Sequence, residues 1–254
     1  MHRVDLNCDM GESFGAYVIG NDSAILDYVT SANIACGYHA GDPSVMRQTA
    51  RRALDKGVAI GAHPGYPDLQ GFGRRFMTVS PDELGDMVLF QIGALAAIVA
   101  REGGRLQHVK AHGALYNAAA KDPALADAIA NAVLSADADL ILFGLSDSEL
   151  LAAGERAGLR TASEGFADRT YQADGSLTSR REPGALIEDP AEALDQSIRM
   201  VVDGVVWSRD ETEVAIRADT ICIHGDGPRA LEFARALRTG LADADVRVAP
   251  IGES

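Results

Sequence analysis

Short apolar runs recur along the chain, and most of them give way to a glycine-marked segment carrying His, Asp, Glu or Lys. The runs at 4–8, 32–36, 58–62, 107–111, 139–143, 160–164 and 219–223 read as strands, each followed by a helical pattern. Helix starts are marked by Asp42-Pro43, Ser80-Pro81-Asp82-Glu83, Asp122-Pro123 and Asp189-Pro190. In each, an N-cap side chain precedes a proline that suits the first turn, and Glu83 adds a capping-box carboxylate. The helices predicted over 81–102 and 123–135 are alanine-rich, and several helices end at glycine. Strands alternating with helices predict parallel pairing through right-handed crossovers.

Seven such units fit either an open doubly wound sheet or a barrel. An open sheet gathers its chemistry at one switch point, whereas here the first, second, third, fourth, sixth and seventh strands all end in polar groups. That distribution favours a single-domain (β/α) barrel spanning 1–254, with its polar strand ends on one rim. The stretch from Arg169 to Glu188 breaks the rhythm, and its Asp174-Gly175-Ser176 turn predicts a hairpin or ordered loop after the sixth strand.

Strand parity sharpens the candidate site, because side chains two apart share a face. Asp5, Asn7 and Asp9 form one such set, His108, Lys110 and His112 a second, and Cys222, His224 and Asp226 a third. On a helix-covered outer face these groups would be buried without partners, at a cost of about 1–3 kcal/mol each. The barrel interior or its mouth is therefore the expected location. Asp5 and His108, deepest by position, read equally well as structural polar groups, whereas Asp9, His112 and His224 lie at the rim.

Composition excludes several functions. A net charge of -14 opposes nucleic-acid binding, which needs a positive field. The apolar stretch Met87 to Ala100 is interrupted by Gln91 and falls short of the roughly 20 residues of a membrane span. The first residues lack a signal-peptide pattern, and three cysteines do not make a disulfide framework, so a cytoplasmic location is expected.

Metal and proton chemistry compete for the same residues. His108-x-x-x-His112 has a zinc-like helical spacing but falls on a strand, and Cys36-x-x-His39 lacks a second pair. Asp9, His39 and His63, from three strand ends, form the better candidate metal set, with one coordination position left open. The same side chains suit proton transfer or substrate hydrogen bonding. Lys110 and Arg169 are candidates for holding a carboxylate or phosphate, and Arg74 and Arg75 fit equally the same role from a loop or a salt bridge there. Glu164 and Asp168 are candidates for acid-base work. Neither a Gly-x-Ser-x-Gly elbow nor a P-loop lysine motif occurs, so any nucleotide site is unconventional or shared with a partner.

Six segments then show a resemblance. Asp5-Leu-Asn-Cys-Asp-Met-Gly-Glu12-Ser-Phe-Gly15, Ser31 to Pro43, Gly61-Ala-His-Pro-Gly-Tyr-Pro-Asp68, Gly71-Phe-Gly-Arg-Arg75, Val109-Lys-Ala-His-Gly-Ala-Leu-Tyr116 and Glu164-Gly-Phe-Ala-Asp-Arg169 resemble the LamB/YcsF family, in order and over almost the whole chain. The resemblance implies a seven-stranded barrel of the glycoside hydrolase/deacetylase kind. It also implies the A subunit of a 5-oxoprolinase, a hydrolase of a cyclic amide that opens 5-oxo-L-proline to L-glutamate while ATP becomes ADP and phosphate. Subunits B and C (PxpB and PxpC) are the implied partners, and Mg2+ is expected with ATP. On this reading Asp9, His63, His112 and Glu164 manage protons or a metal. Asn7, Lys110, Arg169, His224 and Asp226 hold substrate or phosphate. Two alternatives remain: a metal-dependent amide or polysaccharide deacetylase using Asp9, His39 and His63, and a non-catalytic lactam-binding subunit.

Overall fold

The computed structural model describes residues 2–227 and 229–252; Met1, Pro228, Glu253 and Ser254 of the expected 1–254 domain lie outside them. Seven parallel strands close into a barrel: β1 (His2–Met10), β2 (Ser31–Ala35), β3 (Ala59–His63), β4 (His108–Lys110), β5 (Ile141–Leu145), β6 (Arg160–Phe166) and, after a small hairpin of β7 (Val205–Trp207) and β8 (Glu213–Ala215), β9 (Thr220–His224). Closure is made by β1 pairing with β9, in a register that sets Asn7 opposite Cys222 and Asp9 opposite His224. A last strand, β10 (Val246–Val248), pairs with the start of β1.

Helices α1 (Asp22–Ile25), α2 (Pro43–Asp55), α3 (Pro81–Arg101), α4 (Gly113–Ala119), α5 (Pro123–Ala136), α6 (Glu149–Ala157), α7 (Pro190–Ile198) and α8 (Ala230–Asp243) lie among these strands in sequence. The expected caps form: Asp42, Asp122 and Asp189 accept backbone N–H groups ahead of their prolines, and Ser80 with Glu83 closes a capping box. Gly158 ends α6 in the left-handed conformation, as a C-cap glycine should. The 21-residue α3 is long and apolar enough to cross a membrane, yet it packs in the barrel's outer layer. It buries Leu84, Val88, Ile92, Leu95 and Val99, and Gln91 bonds to the backbone of Gly65. The segment from Arg169 is the expected ordered loop, with bridges Arg169 to Leu186 and Tyr171 to Leu177 around the Asp174 turn. The β7–β8 hairpin and β10 were not expected, since three-residue strands carry too little periodicity to register.

The large apolar cluster lies between barrel and helices. Inside the barrel a second, small cluster of Ile141, Phe143 and Ala162 meets Ile251. Much of the remaining interior is polar. Glycine makes room for it at Gly61, where a Cβ would lie 2.1 Å from the ring of His108. That ring cannot retreat, because it stacks on Phe143 at 4.2 Å and bonds Asn33. Gly61→Ala is therefore expected to destabilise the fold by about 1–3 kcal/mol through overpacking, read as a shift in the denaturation midpoint.

Candidate active site

The polar interior is layered from floor to mouth. At the floor Asp5 accepts from Thr30, Ser31 and Thr220 at 2.5–2.7 Å. Burial pushes its carboxyl up against these donors. Above it, Asn7 donates to Thr220 and Glu164, and accepts from Asn33 at 2.7 Å. Asn33 accepts in turn from His108 Nε2 at 2.7 Å. Burial, with Lys110 nearby, lowers His108 to about 3, so it sits neutral. These groups satisfy one another, which is what tolerable burial requires.

In the next layer Lys110 is fixed from all sides. Its Nζ donates to Asp9 Oδ1 at 2.9 Å, Asn7 Oδ1 at 3.2 Å and Cys222 Sγ at 2.9 Å, and stands 2.9 Å from Glu164 Oε1. Burial alone would lower this ammonium, but Asp9, Cys222 and Glu164 hold it well above the usual lysine range. Burial likewise opposes ionisation of Asp9, and His63 and Lys110 outweigh it, holding the carboxyl well below its usual value. An ammonium has only three hydrogens, so this lysine is committed to the chain's own acceptors.

Three imidazoles cluster beside Asp9. His63 Nδ1 lies 2.8 Å from the Lys110 carbonyl, and its Nε2 lies 3.3 Å from Asp9 Oδ2 and 2.9 Å from His112 Nδ1. His112, the residue before α4, points its Nε2 at the Phe72 carbonyl, 2.8 Å away. His39 stacks on His112 with centroids 3.7 Å apart and ring planes within 1°. Burial and the neighbouring rings push His39 and His112 well below the usual imidazole range. Glu12 completes the cluster, with Oε1 at 3.5 Å from His39 Nε2 and 3.7 Å from His112 Nδ1. Burial and the Asp9 charge hold its carboxyl well above the usual range.

A cavity of about 660 Å³ opens over these layers, a size suited to a small-molecule ligand. Asp9, Glu12, His63, Lys110, His112, Tyr116, Phe166, Arg169, His224 and Asp226 all face it. Two features of its wall carry chemistry. The first is a dyad: His224 Nδ1 lies 2.8 and 2.9 Å from the two oxygens of Asp168, and Phe166 stacks on the imidazole. Asp168 stays ionised, because His224 outweighs the burial that would raise its carboxyl. An ionised carboxylate only accepts, so Nδ1 carries the hydrogen, which leaves Nε2 as the nitrogen that can take up or give a proton.

The second feature is unpaired positive charge. Arg169 is buried and donates to the carbonyls of Thr178 and Ala185, and it forms no ion pair within 4 Å among the described residues. Burial and the adjacent Arg180 lower it to about 10. Arg180 and Arg181 also line the cavity. Arg74 differs, being paired with Asp226 across the mouth at 2.5 Å, and Arg75 is held by Asp68.

The structure thus brings Asn7, Asp9, His63, Lys110, His112, Glu164, Arg169 and His224 around one interior, and sets Asp226 at its edge. Asp5 and His108 belong to the floor. Glu12 was missed as a site residue, because Gly11 turns there with φ +67°, and period-two counting along β1 stops at Met10. Tyr116 was missed too. It lies on α4, and its buried hydroxyl and Glu164 Oε2 both lack a hydrogen-bond partner among the described residues. The resembling segment that ends at Tyr116 was the one sequence signal for it.

Known proteins share this sequence and architecture. The LamB/YcsF family model matches residues 4–254. A Bacillus licheniformis protein, named as the A subunit of 5-oxoprolinase, is 62% identical over 248 residues, covering 98% of either chain. A Bacillus subtilis protein of the same name is 60% identical over 253 residues, covering 100% of this chain and 98% of its own. The crystal structure of a lactam utilization protein from Thermus thermophilus superposes with a TM-score of 0.92 at 49% identity, over 97% of this chain and 99% of that one.

Proposed function

The chain belongs to the LamB/YcsF family, and on that premise we propose that it is the A subunit of an ATP-dependent 5-oxoprolinase, opening the lactam of 5-oxo-L-proline to L-glutamate in its barrel mouth. The supporting observation is the pairing, in one cavity, of a buried arginine that lacks a carboxylate with a histidine oriented by one. The substrate's carboxylate docks on Arg169. That places a five-membered amide beside His224 Nε2.

A lactam amide is a poor electrophile, so its carbonyl oxygen is first phosphorylated by ATP. His224 then takes a proton from water as the oxygen adds to the carbon and passes it to the ring nitrogen, which leaves as the amine when the C–N bond breaks, and a second water cleaves the acyl phosphate. Arg180 and Arg181, with Arg169, offset the phosphoryl charge in a chain that is otherwise strongly acidic. ATP and its Mg2+ are supplied in a cytoplasmic complex with subunits B and C. Lys110 acts by fixing Asp9 and Glu164 rather than by holding the anion, since its hydrogens are already engaged.

Arg169→Met tests the seat directly. Losing charge-assisted hydrogen bonds worth about 1.5–3 kcal/mol is expected to raise KM for 5-oxoproline about 10- to 150-fold, with KM for ATP unchanged. Steady-state kinetics of the assembled enzyme would show it. An unchanged KM for 5-oxoproline contradicts the assignment.

A further inference from the structure

The hydrogen bonds of His63 and His112 assign their protons. A carbonyl oxygen only accepts, so His63 Nδ1 must donate to Lys110 and His112 Nε2 to Phe72. In its neutral form an imidazole has a single N–H, which each ring spends on its carbonyl. The two nitrogens that face one another at 2.9 Å, His63 Nε2 and His112 Nδ1, therefore both present lone pairs. Two more acceptors stand with them: Asp9 Oδ2 at 3.3 Å from His63, and Glu12 Oε1 at 3.7 Å from His112. Glu12 Oε1 is buried and has no hydrogen-bond partner among the described residues. With both rings neutral these electron-rich atoms share no hydrogen, and one cation among them relieves the repulsion.

Three of their separations suit ligands on one ion. Donors about 2.0–2.1 Å from a metal lie about 2.9 Å apart at a right angle and about 3.4 Å apart in a tetrahedron. The separations of 2.9, 3.3 and 3.7 Å bracket that range. We propose that His63, His112, Glu12 and Asp9 form a binding site for a divalent first-row transition ion of the zinc type at the cavity wall. Two imidazoles with carboxylates select such an ion over the hard Mg2+ or Ca2+. The backbone carbonyls that hold the far nitrogens play the orienting role that such histidines need.

We assign no bond from His39, although its Nε2 stands 3.5 Å from Glu12 Oε1 in the same cluster. Its ring lies parallel to that of His112, so a cation in the plane of one stands a stacking distance off the plane of the other. The site stands on geometry alone and does not depend on the lactamase reading.

The full-length chain, stripped with chelator and dialysed, is to be titrated with Zn2+ by calorimetry and with Co2+ by visible absorption. One equivalent of Zn2+ is expected to bind, with Co2+ showing ligand-field bands. His63→Ala and His112→Ala, checked for folding by circular dichroism, are each expected to weaken binding more than about 100-fold. His39→Ala is expected to stay within about threefold of the parent. Failure of the wild-type chain to bind a stoichiometric ion overturns the proposal, as does affinity that survives loss of both His63 and His112. The wild-type titration decides even if a variant misfolds. It reads no turnover, so its failure is separate from failure of the 5-oxoprolinase assignment.

Discussion

Replacing His224 with alanine is expected to lower kcat of the assembled enzyme about 10²- to 10⁴-fold, the usual contribution of a positioned general base. Asp168 sets that role. Its two oxygens take the Nδ1 hydrogen at 2.8 and 2.9 Å, which leaves Nε2 free to accept a proton on the cavity side. The ring is further held by the stacked Phe166. Asp168→Asn should therefore reproduce much of the loss with the imidazole still present, since a side-chain amide can donate to Nδ1 and move the hydrogen to Nε2. Both variants are expected to keep KM for 5-oxoproline, because Arg169 still holds the carboxylate. Steady-state kinetics separate the outcomes: a rise in KM with kcat intact would make His224 a binding residue instead.

Lys110→Met should be the most destabilising single change in the barrel. The ammonium is the shared partner of Asp9, Glu164, Asn7 and Cys222, all buried. Removing one member of a buried ion pair costs about 3–5 kcal/mol, and here two carboxylates lose the same partner. The acid dependence of stability should weaken as well. In the parent, Asp9 has a folded pKa below its ordinary 3.8, so its contribution is complete above 3.8 and is lost as pH falls through the folded value. Without the lysine, Asp9 loses one of the charges that hold its carboxyl down, while His63 stays beside it. Its folded value then lies nearer 3.8, and less stability is left to lose as pH falls. Urea denaturation at several pH values would show a midpoint that falls less on acidification in the variant than in the parent. Stability within about 1 kcal/mol of the parent's would contradict the central role given to Lys110.

The barrel was legible because six of the seven strands combined an apolar outer face with a polar strand end, and the capped helices marked the crossovers. Parity also placed Asp9, Lys110 and His224 in one interior, since the three sit on β1, β4 and β9 with side chains turned inward. What parity could not give was partnership. Lys110 and Arg169 looked equivalent as cations, yet the first is surrounded by carboxylates and the second is not, a difference set by register between strands far apart in sequence. The expected metal set of Asp9, His39 and His63 likewise followed strand ends. The set proposed in its place, with Glu12 and His112 for His39, rests on ring stacking and on the turn at Gly11. Asp168 was visible as an acid, but its pairing with His224 joins the loop after β6 to the end of β9 and leaves no local trace in the sequence.

The most direct test of lactam opening in this barrel measures L-glutamate and inorganic phosphate side by side, using 5-oxo-L-proline and ATP with this chain alone and then with subunits B and C. Both products are expected to form in equal amounts only in the full complex, and Arg169→Met and His224→Ala in this chain are expected to suppress them together. Lactam opening by the isolated chain without ATP, or undiminished turnover by a complex carrying those substitutions, would contradict the assignment.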